Sequence, residues 1–387
     1  MSSQSYSSSD SESVVMASPS RSDFPTVFVP EGHVALVLLQ EGESSFYLRI
    51  PLSIINSLCL KPRKYLIFLG WCILGCEGVL ALEHDGDEIN TDGGLDDQWI
   101  YHYVPAATLD LVHAVDLEVI KARKCVFSEF TETRDEFSTK LLERDVRCLW
   151  TGVIDYGARL HIIPPERGPE WFRLIVENRP NCSENVTTLN DINDIRNGVF
   201  AYSTIRAAFD LCHLAILKTP NQILNPEDIP PRDDRHVYAD VSYPTSSRYT
   251  LQWLVVPEPG ITTIVPNNRD ATFKRNTEKP KPSDLLLHYT YGAAAIKCWG
   301  HGTEVLKDRA NPPRPSAPVQ APIRPSRSST AGAGTGESDG QATWDEDDVM
   351  LFFWGNTRAA KERHLKKVEE IIERMEQWRA GVAEDSV

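Results

Sequence analysis

His161 lies in LHIIP (residues 160–164), and Asn197 and Arg206 lie in RNGVFAYSTIRAAFD (residues 196–210). These are three side chains of types that act on phosphate esters. An imidazole takes a proton from water or ligates a divalent cation. A primary amide holds a loop through its donors and acceptor together, and a guanidinium grips phosphate through paired donors while offering no lone pair to a metal. Asp210 and His213, three apart in FDLCH, are the nearest other ligand-type residues. They can form a relocated metal pair, or His213 can be a hydrogen-bonded structural residue beside the apolar LAIL. Arg206 likewise has two readings, a phosphate contact or an ion pair with Asp210 four residues on along a helix. His161 can also simply satisfy backbone groups at a strand end.

These residues need elements to position them. TRDEFSTKLLERD places Phe137, Leu141 and Leu142 among charges, the spacing of a short amphipathic helix, and the strand-like CLWTGV and RLHIIP follow it. A second short helix is expected after NGVF, with Ser203 or Thr204 as its cap.

The remainder of the chain sets limits. Over 387 residues, 41% hydrophobic and 9% aromatic side chains are enough for an ordinary globular core. A net charge of -15 excludes a surface adapted throughout to nucleic acid, which needs clustered Lys and Arg. Residues 141–230 carry nine Lys and Arg against twelve Asp and Glu, so support for a nucleic-acid partner is thin there too. The N-terminal MSSQSYSSSDSESVV lacks a basic region followed by an apolar core, and eight dispersed cysteines then read as reduced thiols of an intracellular protein, nuclear or cytoplasmic. YLIFLGWCILGCEGVLAL (65–82) has the length of a membrane span, but Gly70, Gly75, Glu77 and Gly78 interrupt it, so it reads as buried core with no membrane role.

Three further motifs have plain readings. CILGC has neither zinc-ligand spacing nor a second pair nearby. In EHDGDEINTDGGLDD, counted from Asp85, Ile89 falls on a ligand position of a calcium loop and Asn90 on its glycine, so a solvated connection is expected instead. DEDD at 345–348 is four consecutive acids that point apart, suited to a helix start and not to a two-metal site.

Composition divides the chain into a Ser-rich disordered tail (1–22), a β-rich module (23–120) with the runs TVFVP, HVALVLLQ, SFYLRIP and WIYHYVP, and a helix–strand region (121–230). A packing segment (231–303) ending in the apolar DLLLHYTYGAAAIKCWG follows. A disordered linker (304–343), with six prolines between 311 and 326, then leads to a charged amphipathic helix (344–384). Leu365, Val368, Ile372 and Met375 give that helix a docking stripe for a protein partner. The fold class expected is α+β.

The order RDEF, LLERDVRCLWTG, LHIIP, NDIRNGVFAYSTIRAAFD and LAILKTPN resembles a group of fungal proteins that carry an HNH nuclease domain. KPRKYLIFLGWCIL, HYTYGAAAIKCWG and a charged C-terminal helix extend the resemblance over most of the chain. It implies a ββα-metal unit within 121–230 holding one divalent cation such as magnesium or manganese. His161 would be the general base and Asn197 the residue that holds the base's loop. It also implies a metal-ligating histidine nine residues after that asparagine, where this chain has Arg206, and often an Asp or His just before the base, where it has Leu160. Two readings follow. One is a degenerate HNH domain acting as a scaffold or interaction module, and the other is a working DNA endonuclease with non-standard metal ligands. On the first, Arg206→His restores part of the activity, with Leu160→Asp as a supporting change.

Overall fold

The computed structural model describes residues 27–41, 44–84, 86–121, 132–154, 157–165, 168–179, 188–232, 235–257 and 260–308. In chain order the elements are β1 (His33–Glu41), β2 (Ser44–Pro51), α1 (Leu52–Leu58), α2 (Pro62–Leu74), β3 (Gly78–Ala81), β4 (Ile100–Pro105), α3 (Glu118–Lys121) and α4 (Glu132–Asp145). Then come β5 (Gly157–His161), α5 (Gly168–Glu177), β6 (Gly198–Tyr202), α6 (Ser203–Asp210), β7 (Leu214–Thr219), β8 (Val241–Ser242) and β9 (Arg248–Trp253). Last are α7 (Ile261–Ile264), β10 (Arg269–Asp270), β11 (Phe273–Lys274), α8 (Asp284–Trp299), β12 (Gly300–His301) and α9 (Glu304–Asp308). The chain divides into two units, 1–257 with 264–318, and 258–263 with 319–387. Of the second, the described residues are 260–263, which include the start of α7. The fold class is α+β with mixed sheets, as expected.

Alternation builds the larger sheet. In β2, Phe46, Leu48 and Ile50 are buried while Tyr47 and Arg49 are half-exposed, the period of two that lets one face cover a core. β2 pairs antiparallel with β1, β1 pairs parallel with β4, and β4 pairs antiparallel with β3; β12 closes the other edge on β2, giving the order β12-β2-β1-β4-β3. The parallel β1–β4 pair needs a long crossover, and β2, α1, α2 and β3 supply it.

The apolar run that has the length of a membrane span folds as α2 and β3. α2 begins with Pro62, whose missing N–H costs nothing in a first turn, and ends at Gly75 in the left-handed region at φ 74°. Nearly every residue of α2 is buried. At Gly70 an added Cβ would stand 2.2 Å from the Tyr103 ring, so glycine is what lets the helix sit directly on β4. Among the described residues no helix is long and apolar enough to cross a membrane. α8, capped by Ser283 accepting from the Leu286 N–H, is buried on all sides between α2 and β7. Tyr65 and Tyr291 meet at 2.6 Å, the Tyr291 hydroxyl donates to Gln252 Oε1 at 2.6 Å, and Gln252 Nε2 donates to Leu58 O at 2.8 Å. This buried chain ties α1, α2 and α8 to the second sheet, β10-β9-β7.

Several expectations are corrected. Residues 27–30 of TVFVP form no strand, and CLWTGV is a turn in which the Gly152 N–H donates to Cys148 O and the Cys148 N–H to Val153 O. α4 buries Phe137 and Leu141 but leaves Leu142 43% exposed, so its apolar stripe is one residue narrower than the spacing suggests. α6 is entered from Tyr202 with no side-chain cap, so neither Ser203 nor Thr204 caps it. The first five residues assigned to the linker, 304–308, are α9. The acidic loop between β3 and β4 is, as expected, an exposed hairpin connection, and it is tied to the start of α2: Lys61 pairs with Asp92 at 2.6 Å, and Arg63 donates to Gly94 O and Asn90 O. The Ser-rich tail (1–22), residues 309–343 of the linker, DEDD and the C-terminal helix (344–384) lie outside the described residues.

Candidate functional site

β5 and β6 form a two-stranded antiparallel sheet in which His161 stands opposite Gly198, and β6 runs without a break into α6. A lone two-stranded pair is marginal in water, and its edges must be satisfied. The outer edge of β6 is satisfied by the segment that ends α4, not by a third strand. Asp145 Oδ2 accepts from the Phe200 N–H at 2.8 Å, the Leu149 N–H donates to Phe200 O at 3.2 Å, and Cys148 Sγ accepts from the Tyr202 N–H at 3.1 Å. Arg144 donates to Gly198 O at 2.7 Å and to Ile195 O at 2.9 Å, bracketing Asn197. Arg144 and Asp145 are both fully buried and joined by two bonds, at 2.6 and 2.9 Å. Such a pair is tolerable in the interior only because the remaining donors and lone pairs also find partners.

Asn197 is fully buried and bonded three times through its amide. Oδ1 accepts from the Ile163 N–H at 2.8 Å, and Nδ2 donates to Ile163 O at 3.0 Å and Ile192 O at 2.7 Å. Its own carbonyl accepts from the Ile162 N–H at 2.9 Å. One residue therefore clips the chain leaving β5 to the chain entering β6, directly after His161.

The His161 ring lies on the Phe137 ring, with centroids 4.2 Å apart and planes 13° from parallel. Its Nε2 is 3.3 Å from Asn193 Oδ1, so in the tautomer that protonates Nε2 it donates to that amide. Gly198 makes room for this stack, because a Cβ there would meet the Phe137 ring at 2.4 Å. Asn193 also lines a groove of about 600 Å³ with Lys140, Asp191, Asp194, Arg196 and Lys279. Each cation of the groove is paired: Lys140 with Glu136, Arg196 with Asp194, and Lys279 with Glu143.

Of the two readings for Arg206, the structure has the ion pair. Its Nε stands 3.6 Å from Asp210 Oδ2 across one turn of α6, the side chains 40% and 19% exposed. A solvated pair of this kind contributes about 0.3–0.5 kcal/mol. Leu160 is buried, with its side chain on the face of β5 opposite to His161. His213 is exposed just past α6, where its N–H donates to Ala208 O. Among the described residues no group of three or more His, Cys, Asp and Glu is placed to hold a metal ion.

Sequence reasoning missed Phe137, Asn193 and the Arg144–Asp145 pair. No local signal marks the pair, because the groups that satisfy Arg144 are carbonyls at 195, 198 and 280, far along the chain. Comparison with known protein families, with curated proteins and with solved structures gives no match for this chain.

Proposed function

We propose that β5, β6 and α6 form an HNH-like ββα unit that has lost its metal chemistry and serves as a scaffold or interaction module. The observation that carries this reading is Arg206. In the HNH arrangement that position ligates the cation, and here it bears a permanent positive charge already paired with Asp210. The order of strand, strand and helix, His161 at the end of β5, and Asn197 bonded to both flanking loops support the HNH part of the reading. The loss of chemistry follows from electrostatics. An HNH reaction depends on a cation to stabilise charge developing on the phosphate, and a guanidinium repels a cation from where an imidazole would bind it. The groove beside Asn193, with its cations already neutralised, is a poor track for a polyanion.

Leu160 limits how the site can be restored. A carboxylate there would point into the core behind β5, away from any cation held near His161, and would cost several kcal/mol in desolvation. Arg206→His alone is therefore the informative change. The test is plasmid nicking with magnesium, manganese and zinc, comparing the wild type, His161→Ala and Arg206→His. Wild type and His161→Ala are expected to be equally inactive, with metal-dependent nicking arising in Arg206→His. Robust nicking by the wild type, abolished by chelation and by His161→Ala, would overturn the reading in favour of an endonuclease with non-standard ligands.

A further inference from the structure

The larger sheet has two apolar faces, and the helices account for one of them. Phe46, Leu48 and Ile50 of β2 and Tyr101 and Tyr103 of β4 lie on the side of α2 and α8. Directly paired strand residues share a face. The register therefore places Ala35 and Val37 of β1, Ile100 and Val104 of β4, and Val79 and Ala81 of β3 on the other side. A sheet face left to water carries polar side chains at these alternate positions, and this one carries aliphatic ones. Among the described residues the helix that packs on β1 is α2, on the opposite face, yet Ala35 is 0% and Val37 3% exposed. Half-exposed Tyr47, stacked on His301 of β12 with ring centroids 5.1 Å apart, and half-exposed Arg49 border the aliphatic strip. Among the described residues of this face Arg49 alone carries a permanent charge. Aliphatic side chains edged by a tyrosine and an arginine make a surface suited to being covered.

We infer that the N-terminal segment, residues 1–26, covers this face, with Val14, Val15 and Met16 on the aliphatic strip and Asp10 and Glu12 toward Arg49. Reach and charge select this occupant. The segment joins the described chain at Val27, and β1 begins at His33, inside the sheet to be covered. Its 26 residues extend to about 86 Å at about 3.3 Å each, whereas four strand spacings of about 4.8 Å make the sheet about 19 Å wide. A tether this short gives an effective concentration in the millimolar range, which a second copy in dilute solution does not match. The segment carries Asp10, Glu12 and Asp23 against Arg21, a net charge opposite in sign to Arg49. The other stretch leaving this sheet, residues 309–318 after α9, has Arg309, Arg314 and no acid, so Arg49 repels it. A covered face is closed to other apolar surfaces. This inference concerns a part of the chain separate from the His161 region and does not rest on the function proposed above.

The experiment is oxidation of the full chain by hydrogen peroxide, with the rate at Met16 read by peptide mass spectrometry and compared with that of a free peptide of residues 1–26. The peroxide transfers one oxygen atom to the thioether, giving the sulfoxide and water, and a covered sulfur is shielded from it. Met16 is expected to oxidise at least about fivefold more slowly in the full chain, the protection of a segment docked about four-fifths of the time. Arg49→Glu is expected to remove most of that protection, and Arg49→Glu combined with Asp10→Lys and Glu12→Lys to restore it, which a merely misfolded Arg49→Glu chain does not allow. Oxidation of wild-type Met16 at the free-peptide rate overturns the inference. So does protection that survives Arg49→Glu, protection that the charge-swapped combination fails to recover, or protection that fades on dilution and so comes from a second copy.

Discussion

Replacing Asn197 by alanine tests whether one amide holds the two loops around His161. The substitution removes three bonds and leaves the Ile163 N–H, the Ile163 carbonyl and the Ile192 carbonyl without the partners they have now. Ile163 is fully buried and Ile192 is 7% exposed, so water does not readily replace the amide. Each orphaned buried group costs about 1–3 kcal/mol, and because the three are neighbours the sum is sub-additive, about 3–5 kcal/mol. That is a large part of the 5–15 kcal/mol typical of a folded domain. Urea unfolding followed by circular dichroism measures it as a drop in midpoint at unchanged slope. Asn197→Asp gives a sharper second measurement. Its carboxyl would keep the acceptor toward Ile163 N–H but set its other oxygen against the Ile163 and Ile192 carbonyls. This raises the folded pKa above the unfolded value of about 3.9. The folded state then holds the extra proton, so the variant is closest to wild type below about pH 4 and loses stability as pH rises through the folded pKa. An Asn197→Ala change costing under about 1 kcal/mol, or an Asn197→Asp penalty that does not grow with pH, would refute the clip.

Two further outcomes follow from buried charge. Arg144→Met leaves the fully buried Asp145 without its cation and the Ile195 and Gly198 carbonyls without donors, so a loss of about 3–5 kcal/mol in urea unfolding is expected; a change under about 1 kcal/mol would show that the pair is not what secures β6. His288 lies between the Trp71 and Phe68 rings, with centroids 4.8 and 5.9 Å away, and burial pushes its pKa down to about 3. Its unfolded pKa is about 6.5, so the unfolded state takes up a proton first. Stability therefore falls by up to about 1.4 kcal/mol per pH unit as pH drops from 6.5 toward 3. Between pH 7 and pH 5, His288→Phe is expected to lose about 2 kcal/mol less than the wild type, and an equal loss in both would refute the assignment.

Elements whose partners are local or whose periodicity is strong were legible in the sequence. The alternating runs of β2 and β4 state which face is buried, the continuous apolar runs of β1 and α8 state burial on both sides, and the spacing of α4 places its buried Phe137 and Leu141 on one face, though not Leu142. CLWTGV misled because its apolar composition suits a strand, whereas Gly152 at φ 75° turns the chain, and the segment meets the β6 edge only at its start, through Cys148 Sγ and the Leu149 N–H. β12 has only two residues and pairs with β2, more than two hundred residues earlier, so no local pattern announces it. At the candidate site, the i,i+4 spacing of Arg206 and Asp210 sufficed to expect their ion pair. Arg144 and Asp145 read as surface charges in any window. Their burial is decided by carbonyls at 195, 198 and 280, which composition near 144 cannot show.

The frame around His161 is built almost wholly from bonds to the main chain. Asn197 holds backbone atoms of residues 163 and 192, and Arg144 and Asp145 hold backbone atoms of 195, 198, 200 and 280. None of these bonds involves the side chains at 160 or 206. The side chain at 206 can therefore be exchanged without disturbing the loops that present His161, so the frame does not depend on it. The consequence is measurable in the same variant used for the nicking assay. Arg206→His removes one solvated i,i+4 pair worth about 0.3–0.5 kcal/mol, so its urea midpoint should match the wild type within error while its behaviour toward divalent cations changes. A loss of more than about 1.5 kcal/mol would place Arg206 within the frame and undo this separation between the bonds that hold the loops and the side chain at 206.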